Sequence, residues 1–330
     1  MKIFLTLDYE LFFGSDVGTV QKSIIEPTNK LLDILDIYNI KAIFFIDSGF
    51  ILKLQEFKEK YTVLEQDYQS IINQIKYLDD NHHEIALHIH PHWEDSYFDG
   101  EKWILNTSRY KLDDFNKYEI EDIVFKYKMI LEKIIDKNIF TFRAGGWCIQ
   151  PFDKIRNAFK NNNIKIDSTL YKDGYSSSQV HYFDFRGMED KAYYKFEDDP
   201  LIENKNGFFT EVPIASIKVS PLFFWKFAFF KVFGKSKFKG FGDGYSIAKS
   251  KWDKLRLMLF FSNSVVSIDG FKVSLLEKAY KNYLKKDFNY FVIIGHPKAL
   301  TPYSLEKLEE FILKNKTNNF TTYSKEFYEK

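Results

Sequence analysis

The chain has 330 residues, of which 45% are hydrophobic and 28% charged, and its formal net charge is +1. This composition is that of a packed protein, and the length suffices for one large α/β domain or two small ones. The near-zero net charge excludes a global attraction to nucleic acid, and the single cysteine, Cys148, excludes an intrachain disulfide.

The opening segment MKIFLTLDYE lacks the pattern of a secretion signal. Asp8 and Glu10 interrupt the stretch where the apolar region of a signal peptide would lie. No uninterrupted run of about 18 apolar residues follows, so no spanning helix is expected. The sequence therefore predicts a cytoplasmic protein.

Apolar runs and helical spacings alternate along the chain. Short apolar runs predict strands at Lys2–Leu7, Lys41–Ile46, Glu84–Ile89, Phe140–Phe142, Ile164–Ile166 and Tyr290–Ile294. Apolar residues at helical spacing predict helices at Pro27–Tyr38, Asp67–Leu78, Lys117–Asp136 and Pro302–Leu313. Strands that alternate with helices are typical of an α/β fold with a parallel sheet.

Residues 214–262 differ from the rest of the chain. They are rich in Phe and Trp, and nine Lys or Arg lie between Pro221 and Arg256 against two Asp. We interpret them as an insertion or lobe within a single domain of residues 1–330. The segment 221–233 predicts peripheral contact with a membrane surface. The alternative is a lobe packed on the rest of the domain, with its lysines pointing outward.

Polar residues follow the predicted strands at the point where each strand ends. In parallel α/β folds the chemistry lies at the carboxyl ends of the strands, so these residues are expected at one rim. They are Asp8, Glu10, His88, His90, His92, Arg143, Asp167 and His296.

The segment His88-Ile-His90-Pro-His92 carries the strongest local signal. Imidazole is the commonest protein ligand for zinc-like metals. Histidines four apart share a face of a helical turn, and alternate residues share a face of a strand. The segment therefore predicts a metal site, against the alternative of a solvated loop that happens to be rich in histidine.

Asp8 and Glu10 supply the carboxylates that such a site needs. In an extended segment both point the same way, so one can bind the metal while the other takes a proton from water. The alternative is an ordinary surface acidic pair.

Other residues suit supporting roles. Arg143 can hold a catalytic carboxylate ionised and oriented, and Trp147 can stack on a sugar ring. His296 can donate a proton to a leaving group. Asp167 can orient a partner or cap the following turn.

Taken in order, these segments resemble the NodB-homology polysaccharide deacetylases of carbohydrate esterase family 4, over nearly the whole chain. The branch found with genes for O-antigen and other surface polysaccharides is the most similar. The segments that carry the resemblance are LTLDYE around Asp8, EIALHIHPH around His88, TFRAGGW around Arg143, DST at Asp167 and IIGHPK around His296.

The resemblance implies a distorted (β/α)7–8 barrel with an aromatic basic insertion. It makes Asp8 the base, Arg143 its brace and His296 the acid. Glu10, His88 and His92 would hold one divalent metal ion, zinc in the first instance, with cobalt or nickel as alternatives. The implied reaction removes an acetyl or formyl group from an amino sugar of a surface polysaccharide or its precursor.

The sequence also departs from the family pattern. Asp-Tyr-Glu replaces the usual Asp-Asp, and Gly145-Gly146 stands where many members have Pro-Pro. His90 is an additional candidate ligand. We expect His90, Trp147, Asp167 and Glu211 to line the substrate cleft.

Two other functions remain open from the sequence. A barrel with these departures could bind a glycan without cutting it. His-x-His after a strand also occurs in metal-dependent phosphoesterases and amidohydrolases, although usually on the first strand, whereas here it follows the third.

Overall fold

The computed structural model describes residues 1–178, 180–247, 250–315 and 319–328. Its strands are β1 (Lys2–Tyr9), β2 (Ile43–Asp47), β3 (Glu84–Ile89), β4 (Tyr97–Phe98), β5 (Trp103–Ile104), β6 (Thr141–Ala144), β7 (Ile166–Asp167), β8 (Tyr175–Ser177), β9 (Tyr182–Asp184), β10 (Tyr194–Phe196), β11 (Phe209–Glu211), β12 (Ser216–Val219), β13 (Ser262–Val265) and β14 (Tyr290–Gly295).

Helices lie between β1 and β2, β2 and β3, β5 and β6, β6 and β7, β12 and β13, and β13 and β14. The helices are α1 (Glu26–Ile37), α2 (Ser48–Phe57), α3 (Thr62–Asp80), α4 (Lys117–Ile135), α5 (Arg156–Asn161), α6 (Pro221–Phe233), α7 (Lys251–Leu259), α8 (Leu276–Lys285), α9 (Pro302–Asn315) and α10 (Tyr323–Phe327).

The chain forms two compact units. The first contains residues 1–42 and 214–322, and the second contains residues 43–213 and 323–330. The whole of the aromatic basic stretch, residues 214–262, belongs to the first unit. The prediction of one domain over residues 1–330 stays a prediction.

The second unit is built on a sheet whose strands are largely parallel. Strand β3 lies between β2 and β6, β7 follows β6, and β11 runs parallel to β7, while β10 pairs antiparallel with β11. The register sets His88 opposite Asp47 on one side and Arg143 on the other. It also sets Glu211 opposite Asp167. Polar side chains thus lie side by side at the carboxyl ends of the parallel strands.

Helix α4 shows how the local sequence specifies an element of this unit. The Asn116 side chain accepts hydrogen bonds from the backbone N–H groups of Tyr118 and Glu119, and the Glu119 side chain accepts from the N–H of Asn116. This reciprocal cap begins the helix. Ile120, Ile123, Val124, Tyr127 and Leu131 then form its buried stripe.

The first unit pairs distant parts of the chain. Strand β1 runs parallel to β14, with Leu7 opposite Gly295. Ser267 forms a bridge to Ile294 on the other side of β14. Strands β12 and β13 form an antiparallel pair that flanks α6 and α7 in sequence. Position 8 therefore lies near the end of β1, position 296 directly follows β14, and position 269 follows the segment that pairs with β14.

Every strand and helix named in the sequence analysis is present, with bounds shifted by a few residues. The α/β fold with parallel strands is confirmed. Helices α2, α5, α6, α7, α8 and α10 were not predicted. No helix among the described residues is long and apolar enough to cross a membrane.

Candidate functional site

Two histidines of interest are each followed by a proline, at His90-Pro91 and His296-Pro297. Proline disfavours the helical conformation for the residue before it and suits the first turn of a helix. Both histidines are accordingly extended, and each proline begins a 3-10 turn, at Pro91–Asp95 and Pro297–Ala299. The sequence therefore holds each imidazole at the point where a strand ends.

In the first unit, two carboxylates and one imidazole lie together. His296 Nε2 is 3.6 Å from Asp8 Oδ2 and 3.8 Å from Glu10 Oε1. Asp8 and Glu10 are both buried. The predicted base and the predicted acid are thus neighbours at the ends of β1 and β14.

Asp269 fixes the orientation of the imidazole. His296 Nδ1 is 2.8 Å from Asp269 Oδ2, and the backbone N–H of His296 donates to Asp269 Oδ1, also at 2.8 Å. Since a carboxylate only accepts, Nδ1 carries the hydrogen, and Nε2 is the nitrogen that lies near Asp8 and Glu10. Burial opposes the charged imidazole, but Asp269, Asp8 and Glu10 outweigh it and raise the pKa of His296 above its ordinary value.

Lys298 occupies one oxygen of Glu10. Its Nζ donates to Glu10 Oε1 at 2.8 Å and also to the carbonyl oxygen of Leu11. The ammonium lies over the rings of Phe12 and Phe13, 5.1 and 4.9 Å from their centroids. Lys298 is itself buried. The predicted metal carboxylate is therefore already paired with a cation.

In the second unit, His88, His90 and His92 are all buried. His88 Nδ1 is 2.9 Å from the carbonyl oxygen of Arg143, so Nδ1 carries the hydrogen and Nε2 presents its lone pair. His90 Nε2 lies 3.1 Å from His88 Nε2. Two ligands of one tetrahedral zinc ion, each about 2.0–2.1 Å from it, are roughly 3.3 Å apart. The two nitrogens are close to that spacing.

His92 is held differently. Its ring stacks on Tyr110, with centroids 5.3 Å apart and planes 7° apart, and on Trp93 at 5.4 Å. The centroids of the His90 and His92 rings are 5.5 Å apart. The family motifs predicted His88 and His92 as metal ligands. In the structure, however, the ring nitrogen beside His88 Nε2 is that of His90.

Gly145 makes room for His90. A Cβ atom at position 145 would lie 2.5 Å from His90 Nδ1 and 2.6 Å from the carbonyl oxygen of Ile89. At Gly146, where φ is +60°, a Cβ atom would lie 2.7 Å from the ring of His181. Gly145 thus lets the ring of His90 pack against the end of β6.

Arg143 is fully buried on β6. Its Nε donates to the carbonyl oxygen of Ser168 at 2.7 Å, and its guanidinium lies over the ring of Phe45, 4.0 Å from the centroid. Burial raises the pKa values of Asp167 and Glu211, and the charge of Arg143 only partly opposes that rise. The predicted bracing of Asp8 by Arg143 stays a prediction.

Asp167 and Glu211 form a buried acid pair on adjacent strands. Burial raises the pKa of Asp167 to about 6, and burial and the charge of Asp167 raise the pKa of Glu211 well above its ordinary value. Among the described residues, Asp167 Oδ2 and Glu211 Oε2 lack a hydrogen-bond partner. One proton shared by the two carboxyl groups would satisfy both oxygens.

Trp147 belongs to an aromatic cluster of the second unit. Its ring centroid lies 5.6 Å from that of Tyr171 and 5.8 Å from that of Phe183. The side chain is half-buried, and its φ angle of +61° is unusual for a residue other than glycine. Its predicted contact with a sugar ring stays a prediction.

The sequence analysis missed Asp269 and Lys298. Asp269 follows the segment Val265-Val-Ser-Ile268, a short apolar run that could have been read as another strand end. Lys298 lies two residues after His296, and nothing in the sequence distinguishes it from other lysines.

No protein-family model matches the sequence, and no curated protein matches it. Among solved structures, the allantoinase Puue shares 11% identity over 94% of this chain and 83% of its own, with a TM-score of 0.51. This likeness shows the fold alone.

Two further structures resemble the chain with lower TM-scores. A Mycobacterium smegmatis protein described as a polysaccharide deacetylase shares 15% identity over 89% of this chain and 72% of its own, with a TM-score of 0.44. A peptidoglycan N-acetylglucosamine deacetylase shares 16% over 98% of this chain and 86% of its own, with a TM-score of 0.43.

Proposed function

We propose that the protein is a metal-dependent hydrolase that removes an acetyl or formyl group from the nitrogen of an amino sugar. The observation that carries the proposal is the arrangement of Asp8, His296 and Asp269. A buried carboxylate lies 3.6 Å from an imidazole whose other nitrogen is fixed by a second carboxylate. Such a base and acid are what hydrolysis of an amide needs.

The two groups have complementary roles in the proposed reaction. Asp8 takes the proton of the attacking water, and His296 Nε2 delivers a proton to the departing nitrogen. Asp269 keeps the hydrogen on Nδ1, so that Nε2 faces the reacting atoms in one tautomer. The products are a free amine on the sugar and acetate or formate.

The histidine cluster fits a divalent metal ion such as zinc, cobalt or nickel. His88 Nε2 and His90 Nε2 have the spacing of two ligands, and the carbonyl oxygen of Arg143 fixes the tautomer of His88. We propose His88 and His90 as ligands, with Glu10 and His92, which the family motifs suggest, completing the set. The metal, when bound, would polarise the substrate carbonyl and acidify a water molecule.

We also propose that the amino sugar belongs to a surface polysaccharide or its precursor. This rests on the family motifs of the sequence. The aromatic cluster around Trp147 offers apolar surface of the kind on which sugar rings stack. Asp167 and Glu211, which the sequence also assigned to the substrate cleft, are both buried.

One observation favours a second candidate, a barrel that binds glycans without cutting them. Lys298 neutralises Glu10 from 2.8 Å, and a bound divalent ion would have to share that carboxylate with an ammonium. In a protein that binds no catalytic ion, the ion pair of Lys298 and Glu10 would satisfy both charges without a metal. Metal analysis of the purified protein separates the two candidates.

The test is the release of acetate or formate by zinc-loaded protein. The substrates are N-acetylglucosamine oligomers, a nucleotide-linked N-acetyl sugar and N-formyl amino sugars. Asp8→Asn and His296→Asn are compared with the exposed controls Asp33→Asn and His82→Asn. We expect each site variant to lose about 100-fold or more in rate, and each control to keep the wild-type rate.

Two results would contradict the proposal. One is a zinc-loaded protein that releases neither acid from any of these substrates. The other is an Asp8→Asn variant that hydrolyses a confirmed substrate at the wild-type rate.

A further inference from the structure

Helix α6, with the sequence PLFFWKFAFFKVF, is apolar nearly all round, yet none of its residues is buried. A helix that is hydrophobic on every side is normally enclosed by the protein core. Helix α6 therefore presents an apolar face that the described residues of its own unit do not cover.

One side of α6 packs within the first unit. The ring of Phe223 stacks on Phe271 with centroids 5.4 Å apart, and the ring of Phe230 stacks on Phe238 at 4.6 Å. Phe238 in turn contacts Tyr303 on α9, also at 4.6 Å. This aromatic layer anchors the helix and fixes which side points outward.

The other side of α6 is an exposed apolar stripe. Its members recur at helical spacing, and they are Leu222, Trp225, Phe229, Val232 and Phe233, each between 57% and 72% exposed. Removing such side chains from water would be favourable. A continuous exposed stripe of this kind marks a contact surface.

Helix α7 continues the same surface. Its exposed apolar residues, with those that follow it, are Trp252, Leu255, Leu259, Phe260 and Phe261. The indole N–H of Trp225 on α6 donates to the carbonyl oxygen of Met258 on α7, at 3.1 Å. The two exposed stripes thus belong to one joined element, which we name the 221–261 surface.

The 221–261 surface is strongly basic. Its exposed cations are Lys226, Lys231, Lys235, Lys237, Lys239, Lys251, Lys254 and Arg256. Asp243 accepts hydrogen bonds from Thr19 and Ser23, and Asp253 accepts one from Ser250 at the start of α7. The acidic side chains of the surface are thus engaged in local structure, and among its cations Lys237 pairs with Glu306 of α9.

We propose that the 221–261 surface docks onto an anionic lipid bilayer. Exposed Trp, Phe and Leu beside Lys and Arg are the composition of elements that lie in the headgroup region. Helix α6 has 13 residues and is about 20 Å long, shorter than a hydrocarbon core of about 30 Å, so it would lie along the interface.

The positive charge of the surface favours an anionic bilayer over a second copy of the chain as its partner. In a twofold dimer the same patch meets itself, which would set these lysines against their counterparts. An anionic headgroup layer would instead neutralise these cations. The proposal does not rest on the hydrolase activity, and its test needs no substrate.

The test is flotation of the full chain with vesicles of phosphatidylcholine alone or mixed with phosphatidylglycerol. The probe variant carries Phe229→Glu and Trp252→Glu, both on exposed positions. The matched control is Tyr118→Glu on α4, where the side chain is 90% exposed outside the surface. Circular dichroism confirms that each variant folds.

We expect wild type and Tyr118→Glu to float with the mixed vesicles, and the bound fraction of the double variant to fall at least about tenfold. Wild type that does not float with anionic vesicles at low salt overturns the proposal. A folded double variant that floats like wild type also overturns it. So does a dimer in gel filtration that becomes a monomer in the double variant, because the surface then serves a second copy.

Discussion

The contact between His90 and Gly145 ties two of the predicted motifs together. The ring of His90 occupies the space where any other residue at position 145 would place its Cβ atom, 2.5 Å away. The neighbouring atoms include the backbone oxygen of Ile89, which cannot move as a flexible side chain does. The glycine of the third motif is therefore a requirement of the histidine cluster of the second.

We predict that Gly145→Ala weakens metal binding. The new methyl group would displace the ring of His90 and separate its Nε2 atom from that of His88, which lies 3.1 Å away. Loss of one aligned imidazole should lower zinc affinity by about 10- to 100-fold. Titration of apo protein with zinc in competition with a chelating dye measures this change.

Gly187→Ala is the matched control, because a Cβ atom at position 187 meets nothing within 4 Å. Its zinc affinity should equal that of wild type. Equal zinc affinity in Gly145→Ala and wild type would show that His90 is not a ligand.

Single residues also show where sequence reasoning ends. Asp8, His88 and His296 were found because each follows a buried strand and belongs to a short motif. Asp269 and Lys298 were not found, because their importance comes from contacts with His296 and Glu10, which lie far away in sequence. Such contacts exist only once β1, β14 and the 265–268 segment are aligned.

At the scale of elements, the register between β7 and β11 forces two carboxyl groups together. Asp167 and Glu211 are direct neighbours across the strands and are both buried. Ionising both would place two like charges in a poorly solvated site. The pair therefore holds a proton at pH values where exposed carboxyl groups have lost theirs.

This pair should make the folded state less stable as the pH rises. The pKa of Asp167 is raised to about 6 in the folded state, above the value near 3.9 of an unfolded chain. Its contribution to stability is complete below about pH 4 and is lost as the pH rises through about 6.

We predict that Glu211→Gln removes much of this loss, because the amide can donate a hydrogen bond to the Asp167 carboxylate without a charge. Relative to wild type, the free energy of unfolding of the variant should rise by about 1–3 kcal/mol between pH 5 and pH 8. Urea denaturation at both pH values measures the difference. In the exposed control Glu59→Gln, the free energy of unfolding should change with pH as it does in wild type. If the free energy of unfolding of Glu211→Gln also changes with pH as in wild type, Asp167 and Glu211 do not share a proton.

The elements were predictable to different degrees. Buried parallel strands such as β3 and β14 are continuous apolar runs, and α4 carries its own cap, so local sequence specifies them. Helix α6 was not predicted as a helix, because a sequence that is apolar nearly all round has no helical periodicity. The side that faces outward is set by contacts with Phe271, which is distant in sequence, and with Phe238, which lies shortly after the helix.

At the scale of the whole molecule, a bound metal ion should stabilise the fold. A ligand that binds only the folded state at 100 times its dissociation constant adds about 2.7 kcal/mol. For a chain of this size we expect the midpoint of thermal unfolding to rise by roughly 5 °C when zinc is added to apo protein. Differential scanning calorimetry with and without zinc measures the shift.

The control is the double variant His88→Ala and His90→Ala, which should lose the shift. A variant that keeps the full shift would show that zinc binds elsewhere. Wild type without any shift would favour the glycan-binding candidate.

The α/β fold itself could be predicted because only a few chain topologies are compatible with strands that alternate with helices. The division into two units could not, because it depends on which long-range contacts form. The second unit interrupts the first, whose parts are separated by 171 residues, from position 43 to position 213.

The pairing of β1 with β14 has a consequence in time. Thr6 Oγ1 donates to the carbonyl oxygen of Ile293, 287 residues further along the chain. A ribosome adds about 5–20 residues per second, so β1 waits roughly 15–60 s for its partner strand. Asp8 and His296 therefore meet only after β14 has been synthesised.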